Sequence, residues 1–125
     1  MTRKRVISAA ILLCLVLVAY FAIFGFRTTR ISTLRELVSQ NLKSGVSADE
    51  VDRFLTDKRI DHSKLMKLEA MTMGGHQYNG QNIIWGAKRG TAKAILWRED
   101  IELIFVFSED RKLVRYDVFP VYNSV

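Results

Sequence analysis

The side chains best suited to contact a partner lie in the glycine-rich stretch 74–90, which holds five of the seven glycines of the chain. Within it, Tyr78 and Trp85 offer aromatic anchors, and Lys88 and Arg89 offer positive charge. Aromatic and basic side chains on a loop are typical of protein-binding sites, where a few such residues supply most of the affinity. We therefore interpret these four residues as a partner-binding site. The alternative interpretation is a connector between two strands.

Residues that could support catalysis or bind a metal are few. The chain has two histidines, His62 and His76, and Asp61 and Glu69 would be the acids of any acid–base set or ligand group. Their spacing matches no metal-binding pattern such as HxH, HExxH or CxxC. The sequence also contains no GxSxG nucleophile pattern and no GxGxxG or P-loop pattern. We therefore predict that the protein is not an enzyme and has no metal site and no cofactor.

The charge distribution argues against a nucleic-acid partner. Four basic residues lie between positions 88 and 98, close to both tryptophans, a combination found in proteins that bind single strands. Glu99, Asp100 and Glu102 adjoin them and would repel phosphates. The formal net charge of +6 also includes three basic residues in the flank 1–5, outside any such surface. We predict no binding to nucleic acid.

An apolar segment, Val6–Phe26, contains 21 residues and no charge. As a helix it would extend roughly 30 Å, the thickness of the hydrocarbon core of a bilayer. Cys14, the one cysteine, follows Leu13 in mid-segment, which does not fit a lipoprotein signal. We expect a transmembrane helix in contact with the lipid bilayer. The alternative is a cleaved signal peptide, but the apolar core is long for one and lacks small residues at the expected positions.

Basic residues flank the apolar segment unequally. The flank 1–5 carries three of them and the amino terminus, whereas Arg27 and Arg30 follow the segment. Because cytoplasmic flanks are the richer in Lys and Arg, we predict a cytoplasmic N-terminus. In a Gram-negative bacterium, the protein would lie in the inner membrane as a single-pass protein with a periplasmic C-terminal domain.

A connector at 27–31 leads into a domain at 32–125, which opens with a helix signal. Thr33 and Glu36 have the spacing of a capping box. Gly45 follows the apolar positions of this helix and is placed to end it.

A second helix signal follows immediately. Ser47 and Glu50 form another capping box. Val51, Phe54 and Leu55 then recur at helical spacing and are expected to be buried.

The remaining sequence favours strands. Alternation indicates strands at 92–97 and 101–107, and 113–118 is expected to return as a hairpin partner. The segment 64–72 fits a strand or a short helix, and we favour a strand because the later strands need partners. Pro120 is expected to end regular pairing or to mark an edge. The fold class is therefore α+β: an N-terminal transmembrane helix, then two short helices packed on an antiparallel sheet of three to four strands. Apolar even-numbered residues in 101–107 predict that a partner or the C-terminal tail covers part of the second face.

Two short motifs resemble a family of small envelope proteins. The helix start Gly45–Val51, followed by Phe54 and Leu55, is similar to the "G-(M/V)-S-x-x-E-V-x-x-x-L" pattern of the SmpA/OmlA family, the outer-membrane barrel-assembly lipoprotein E type. The pair of segments Ile104–Phe107 and Leu113–Tyr116 resembles the "F-D-x-D-G-K-L" strand pair of that family. The same helix–helix–sheet plan occurs in the β-lactamase-inhibitor-like fold.

The resemblance extends over Ser32–Tyr122 in the order of elements, and it implies that fold and a binding role. The sequence departs from the family pattern at Ser108, where the family has Asp, and at Arg111, where it has Gly. Arg111 therefore implies a different turn or some strain at a left-handed position. The lipid-bearing cysteine of the family is also missing.

These observations favour a membrane-tethered, non-catalytic interaction module in the cell envelope, with another envelope protein as its partner. A membrane-tethered inhibitor or immunity protein is the alternative, because it would have the same sequence features.

Overall fold

The computed structural model describes residues 2–124. Within these residues, the helices are α1 (Arg3–Phe24), α2 (Ile31–Asn41) and α3 (Ala48–Asp57). The strands are β1 (Phe26–Arg27), β2 (Asp61–His62), β3 (Met66–Leu68), β4 (Met71–Met73), β5 (His76–Tyr78), β6 (Gln81–Lys93), β7 (Trp97–Phe107) and β8 (Leu113–Ser124). The α+β class is confirmed, with a long apolar helix ahead of two shorter helices and an antiparallel sheet.

The main sheet is larger than predicted. Strands β1, β6, β7 and β8 follow one another in this order, and each neighbouring pair is antiparallel. β2 and β3 also pair with β6, so the described part of the sheet has six strands instead of three to four. β4 and β5 form a separate hairpin. The prediction missed β1 and β2 because each contains only two residues, too few for a recognisable alternation.

The glycine-rich stretch 74–90 is not one loop. Its second half belongs to β6, which has 13 residues and is the central strand of the sheet. The run Asn82–Lys88 pairs without interruption with Ile101–Phe107. Only the first half forms turns, around the short strand β5. The low strand preference of glycine is weak compared with pairing and burial between two neighbouring strands.

One face of the sheet packs against α2 and α3. The odd-numbered residues of 101–107 point to this side, as predicted, and all four are buried. Val51, Phe54 and Leu55 of α3 are also buried there, as expected from their spacing. The buried members of this core are Leu34, Val38, Leu42, Ala48, Val51, Phe54, Leu55, Ile60, Ile84, Ile101, Leu103, Phe105, Phe107, Leu113 and Val118.

The helix signals were right for α3 and wrong for α2. The backbone N–H of Glu50 donates to Ser47 Oγ at 3.2 Å, which confirms Ser47 as the N-cap of α3. α2 instead begins at Ile31, with Arg30 as an N-cap whose side chain makes no capping bond. The N–H of Thr28 is bonded to the sheet just before this helix, and this tie fixes where the helix begins. α2 ends at Asn41, so Gly45 lies in the following turn and does not cap it.

Three predicted strands have different limits. The segment 64–72 is divided between β3 and β4, and 92–97 contains the end of β6, the three-residue turn 94–96 and the first residue of β7. β8 continues past Pro120 to Ser124, so Pro120 lies on an edge strand without ending its pairing. An edge strand tolerates proline because one side of its backbone has no partner.

The end of α3 is a Schellman motif with arginine at the left-handed position. The N–H of Ile60 donates to the carbonyl of Leu55 at 2.9 Å, and the N–H of Arg59 donates to the carbonyl of Thr56 at 3.1 Å. Arg59 has φ of 56°, a conformation that glycine adopts without a steric penalty. We expect Arg59→Gly to raise the free energy of unfolding by about 0.5–1 kcal/mol, measured by urea unfolding of the full chain in detergent.

Arg53 supplies a matched control because it is an exposed arginine inside the same helix. Arg53→Gly is expected to lower the free energy of unfolding by about 1 kcal/mol, since glycine weakens a helix interior. Equal losses from both substitutions would show that the left-handed position of Arg59 carries no strain.

Candidate functional site

The face of the sheet opposite α2 and α3 is only half covered. At one end, Tyr78 of β5 packs on Ile83, Ile104 and Val106, and all four are buried. The covering element is therefore the β4–β5 hairpin, joined by Phe119 from β8, and not a partner. Ile104 and Val106, the apolar even-numbered residues of 101–107, were correctly expected to be covered, but the C-terminal tail mainly extends the sheet as β8.

The other end of this face, next to the turn between β6 and β7, is a polar surface. We call it the open half and define it by Trp85, Arg89, Arg98, Asp100 and Glu102. Trp85 pairs with Ile104 across the β6–β7 ladder, which places its indole on this face. Arg89 is the most exposed of the five, and Asp100 is buried at the base.

A shallow cavity of about 320 Å³ opens beside Trp85, between β2 and β6. Its charged lining groups are Arg89, Glu102 and Asp61, and Trp85 contributes an aromatic wall. The remaining lining residues are His62, Ser63, Gly86 and Ala87. The cavity is small for a drug-sized ligand, but it is large enough to receive one side chain of a partner protein.

A β-bulge creates the base of the open half. Lys88 pairs with Ile101 and Ala92 pairs with Glu99, so three residues of β6 lie opposite the single residue Asp100. Gly90 takes φ of 63° within this bulge, and its N–H donates to Asp100 Oδ1 at 2.7 Å. The carboxylate thus accepts a backbone hydrogen bond in place of a normal ladder partner.

Basic and amide side chains neutralise the other oxygen of Asp100. Arg98 Nη2 and Asn123 Nδ2 each donate to Asp100 Oδ2 at 3.2 Å. Arg89 Nη1 lies 3.9 Å from the same oxygen. Because Arg89 is long and solvent-exposed while Asp100 is fixed, Arg89 is free to turn toward a partner without leaving Asp100 uncompensated.

Glu102 adds a second acid to the open half. Partial burial raises the pKa of the Glu102 carboxyl, and the nearby Asp100 charge raises it further. A hydrogen bond from Trp85 and the charge of Arg89 lower it, without cancelling the effect of burial. A partner that supplies a cation or an N–H donor would therefore relieve a partly desolvated carboxylate.

The structure separates the four residues that were predicted to bind a partner. Trp85 and Arg89 line the same cavity. Lys88 pairs with Ile101, whose side chain belongs to the helix-side core, so Lys88 lies on the opposite face. Tyr78 is 0% exposed, and its assignment as an exposed anchor is corrected: it covers the sheet from inside the fold.

The hydroxyl of Tyr78 completes a buried polar group. It donates to Asp117 Oδ2, and Arg115 Nη1 donates to the same oxygen at 2.7 Å. The Arg115 guanidinium also lies 5.3 Å from the centre of the Tyr78 ring. Burial, together with the Asp117 hydrogen bond, raises the pKa of Tyr78 far above its ordinary value. Tyr78 is thus a structural residue that fixes the β4–β5 hairpin to β8.

The residues considered for acid–base or metal chemistry do not meet. Asp61 and His62 both border the open cavity, but both ring nitrogens of His62 are already bonded, Nε2 to Asp52 of α3 at 2.7 Å and Nδ1 to the carbonyl of Ile60 at 2.9 Å. His76 lies 3.7 Å from Asp117 at the other hairpin. Among residues 2–124, no group of three or more His, Cys, Asp or Glu side chains is arranged to hold a metal ion.

A second buried acid, Glu99, joins α1 to the sheet. Its carboxylate accepts from Arg27 Nη1 at 2.6 Å and from Thr91 Oγ1 at 2.9 Å. Burial alone would raise the pKa of Glu99, but hydrogen bonds from Arg27, Thr91 and Tyr122 outweigh it and lower the pKa. The segment that directly follows α1 is therefore tied to β6 and β7 and is not a free connector.

The sequence interpretation missed Glu99, Asp100 and Glu102 as parts of organised sites and treated them as solvated charges. One signal for the site was present, because an isolated glycine in a strand often marks a bulge, and Gly90 marks this one. Glu99 and Asp100 are consecutive acids that lie on opposite faces of the sheet. Their burial depends on partners from β1 and β8, and a local sequence pattern does not reveal such distant partners.

α1 is the one helix among the described residues that is long and apolar enough to cross a membrane, and it lies near the N-terminus. Comparisons with family models, with curated proteins and with solved structures found no match for this chain.

Proposed function

We propose that this chain is a single-pass membrane protein whose C-terminal domain is a non-catalytic interaction module in the cell envelope. The open half of the sheet is its partner-binding surface. The N-terminus lies in the cytoplasm of a bacterium, α1 crosses the inner membrane, and the domain is periplasmic. The partner is another envelope protein.

The surroundings of α1 support the membrane anchor. None of its residues is buried against the rest of the described chain, although nearly all of them are apolar. A helix of 22 residues with this exposure is unfavourable in water, and a bilayer supplies the missing apolar environment. This observation carries the proposal, because the site and the partner are inferred for a domain held at a membrane.

The junction after α1 supports an uncleaved helix. Phe26 and Arg27 pair with Lys93 and Ala92 as strand β1, and Arg27 neutralises the buried Glu99. The residues that directly follow α1 therefore belong to the sheet, and removal of α1 would leave the groups that contact it without their partners.

The composition of the open half supports a protein partner. Trp85 and Arg89 are of the residue types that dominate binding energy at interfaces, and they flank a cavity sized for one side chain. Asp100 and Glu102 beneath them are partly or fully desolvated acids that favour a cationic or N–H-bearing partner. This mixture of signs fits a polar protein surface better than a polyanion.

Site-specific photo-crosslinking in native membranes tests the proposed surface. A photoreactive amino acid is introduced at Arg89 in one variant and at Lys88 in another. Lys88 is on the same strand as Arg89 but lies on the opposite face of the sheet. We expect position 89 to give a discrete adduct with one envelope protein and position 88 to give none. Mass spectrometry then identifies the attached protein.

Equal labelling at both positions, or no adduct from position 89 in membranes that contain the full-length protein, would contradict the proposed surface. A toxin or a hydrolase in the adduct would instead assign the domain to the inhibitor or immunity class.

A further inference from the structure

The turn between β6 and β7 is an exposed apolar projection. Its three residues are Ala94, Ile95 and Leu96, and the side chains of Ile95 and Leu96 are 66% and 74% exposed. Hairpin turns in water are normally built from polar residues and glycine. Two large aliphatic side chains at the tip of a turn therefore indicate that the tip contacts an apolar environment outside the domain.

This turn lies against the last turn of α1. The N–H of Ile95 donates to the carbonyl of Ala22 at 3.2 Å. The indole Nε1 of Trp97 donates to the carbonyl of Ile23, also at 3.2 Å. An apolar groove of about 260 Å³ lies between the two elements, lined by Ala22, Ile23, Ile95, Leu96 and Trp97.

These contacts supply hydrogen-bond donors to carbonyls at the end of α1, and lipid offers no such donors. The last four carbonyls of a helix have no partner within the helix. In a bilayer, each unsatisfied carbonyl is costly, since lipid offers no donor. Here the hairpin satisfies Ala22 and Ile23, and the N–H of Gly25 satisfies Phe21.

We infer that the β6–β7 turn inserts into the same bilayer that α1 crosses, at the boundary between acyl chains and headgroups where α1 emerges. Ile95 and Leu96 lie beside Ala22 and Ile23, residues of the apolar span itself, so the tip is at the depth of the helix end. The occupant of the groove and of the surrounding apolar surface is lipid.

The residues around the tip have the composition of a membrane interface. The rings of Trp97 and Tyr122 pack edge to face with centres 6.3 Å apart. Phe26, two residues after the end of α1, is also exposed. Tryptophan and tyrosine are enriched at the headgroup level. Lys93 directly precedes the turn, is exposed and is placed to contact lipid phosphates.

Two-point anchoring has a consequence for the proposed binding surface. A single helix would leave the domain free to tilt, whereas a helix and a hairpin tip fix its orientation. The open half includes the bulge between Lys88 and Ala92, only a few residues from the tip. It would therefore face a partner close to the membrane surface.

Tryptophan quenching in reconstituted vesicles tests the insertion directly, because Trp85 and Trp97 are the only tryptophans of the chain. The full chain is placed in vesicles that contain bromine-labelled phosphatidylcholine, with Trp85→Phe in one sample and Trp97→Phe in the other. We expect lipid bromine to quench most of the Trp97 fluorescence and little of the Trp85 fluorescence. Equal quenching of the two would overturn the inference.

A charged tip provides the second arm. Leu96→Glu changes a side chain that is already exposed, so the domain should remain folded, as judged by unfolding in detergent. In Trp85→Phe vesicles, it should reduce quenching of Trp97, whereas Val114→Glu, at the opposite end of β8, should not. Unchanged quenching in Leu96→Glu would also contradict insertion.

The inference rests on α1 spanning a bilayer, and the two can fail separately. Resistance to carbonate extraction from the vesicles reports on α1 alone. Carbonate-resistant protein with unquenched Trp97 would remove the hairpin insertion and leave the anchor intact. Vesicles contain no other protein, so quenching there excludes a protein as the required cover of the tip.

Discussion

Replacing Arg27 by methionine is expected to lower the free energy of unfolding by about 2–4 kcal/mol, because the substitution leaves a buried carboxylate without its cation. The side chain of Glu99 is 2% exposed, whereas that of Arg27 is 40% exposed. Thr91 keeps its hydrogen bond to Glu99, which limits the loss. Urea unfolding of the full chain in detergent, followed by tryptophan fluorescence, measures the change.

Replacing the acid of this ion pair, instead of the base, tests whether Glu99 is the group that needs a partner. Glu99→Gln is expected to cost only about 1 kcal/mol, since the amide keeps an acceptor for Thr91 and the exposed Arg27 remains hydrated. The double variant Arg27→Met with Glu99→Gln should be more stable than Arg27→Met alone. Equal losses in the two single variants would contradict the account of Glu99 as the group in need of compensation.

The pH dependence follows from the direction of the pKa shift. The pKa of Glu99 is lowered in the folded protein, so its contribution to stability is present above the ordinary glutamate pKa of about 4.5 and is lost as the pH falls below it. In Arg27→Met, burial becomes the dominant effect and raises the pKa. The stability difference between the two proteins should therefore shrink from pH 7 to pH 4.

Gly25→Ala is expected to detach the junction between α1 and the domain. Gly25 has φ of 78°, and a Cβ atom there would lie 2.2 Å from the carbonyl oxygen of Lys93. The clash is with backbone, so β1 must move away from β6. Strain of roughly 2 kcal/mol or more would raise the open fraction of the junction about thirtyfold. Limited trypsin digestion after Arg27 and Arg30 should accelerate accordingly.

Gly75→Ala is the matched control for backbone strain. Gly75 has φ of 80°, yet a Cβ atom there meets nothing within 4 Å. It should lower stability slightly and leave cleavage at Arg27 and Arg30 unchanged. If both variants were cleaved at the rate of the unaltered protein, the close packing of Gly25 on Lys93 would not hold the junction together.

Several elements could be predicted because their signals are local. The uncharged run 6–26 indicated α1, although the helix begins at Arg3 and ends at Phe24, and Phe26 belongs to β1. The alternation at 101–107 specifies both faces of β7. The bond from Ser47 to Glu50 lies within one helical turn, so its spacing alone identified the start of α3. Each of these signals depends on the identity of residues a few positions apart.

The features that could not be predicted from the sequence depend on residues that are far apart in the chain. Tyr78 is on a strand of three residues, is buried by packing on Ile83 and Ile104, and bonds Asp117, 39 positions later. Glu99 is buried by Arg27, 72 positions earlier. Glycine composition suggested a loop at 74–90, whereas pairing on both sides made 81–90 part of the central strand β6. Of the predicted binding residues, Trp85 and Arg89 reached one surface because they share a face of β6.

The central claim is that α1 stays covalently joined to the domain and lies in a membrane. Intact mass spectrometry of a C-terminally tagged chain, recovered from carbonate-washed bacterial membranes, tests it most directly. The account predicts one species in the membrane fraction with the mass of the whole chain. A soluble species whose mass lacks residues 1–24 would contradict it, together with the anchoring and the surface roles inferred from it.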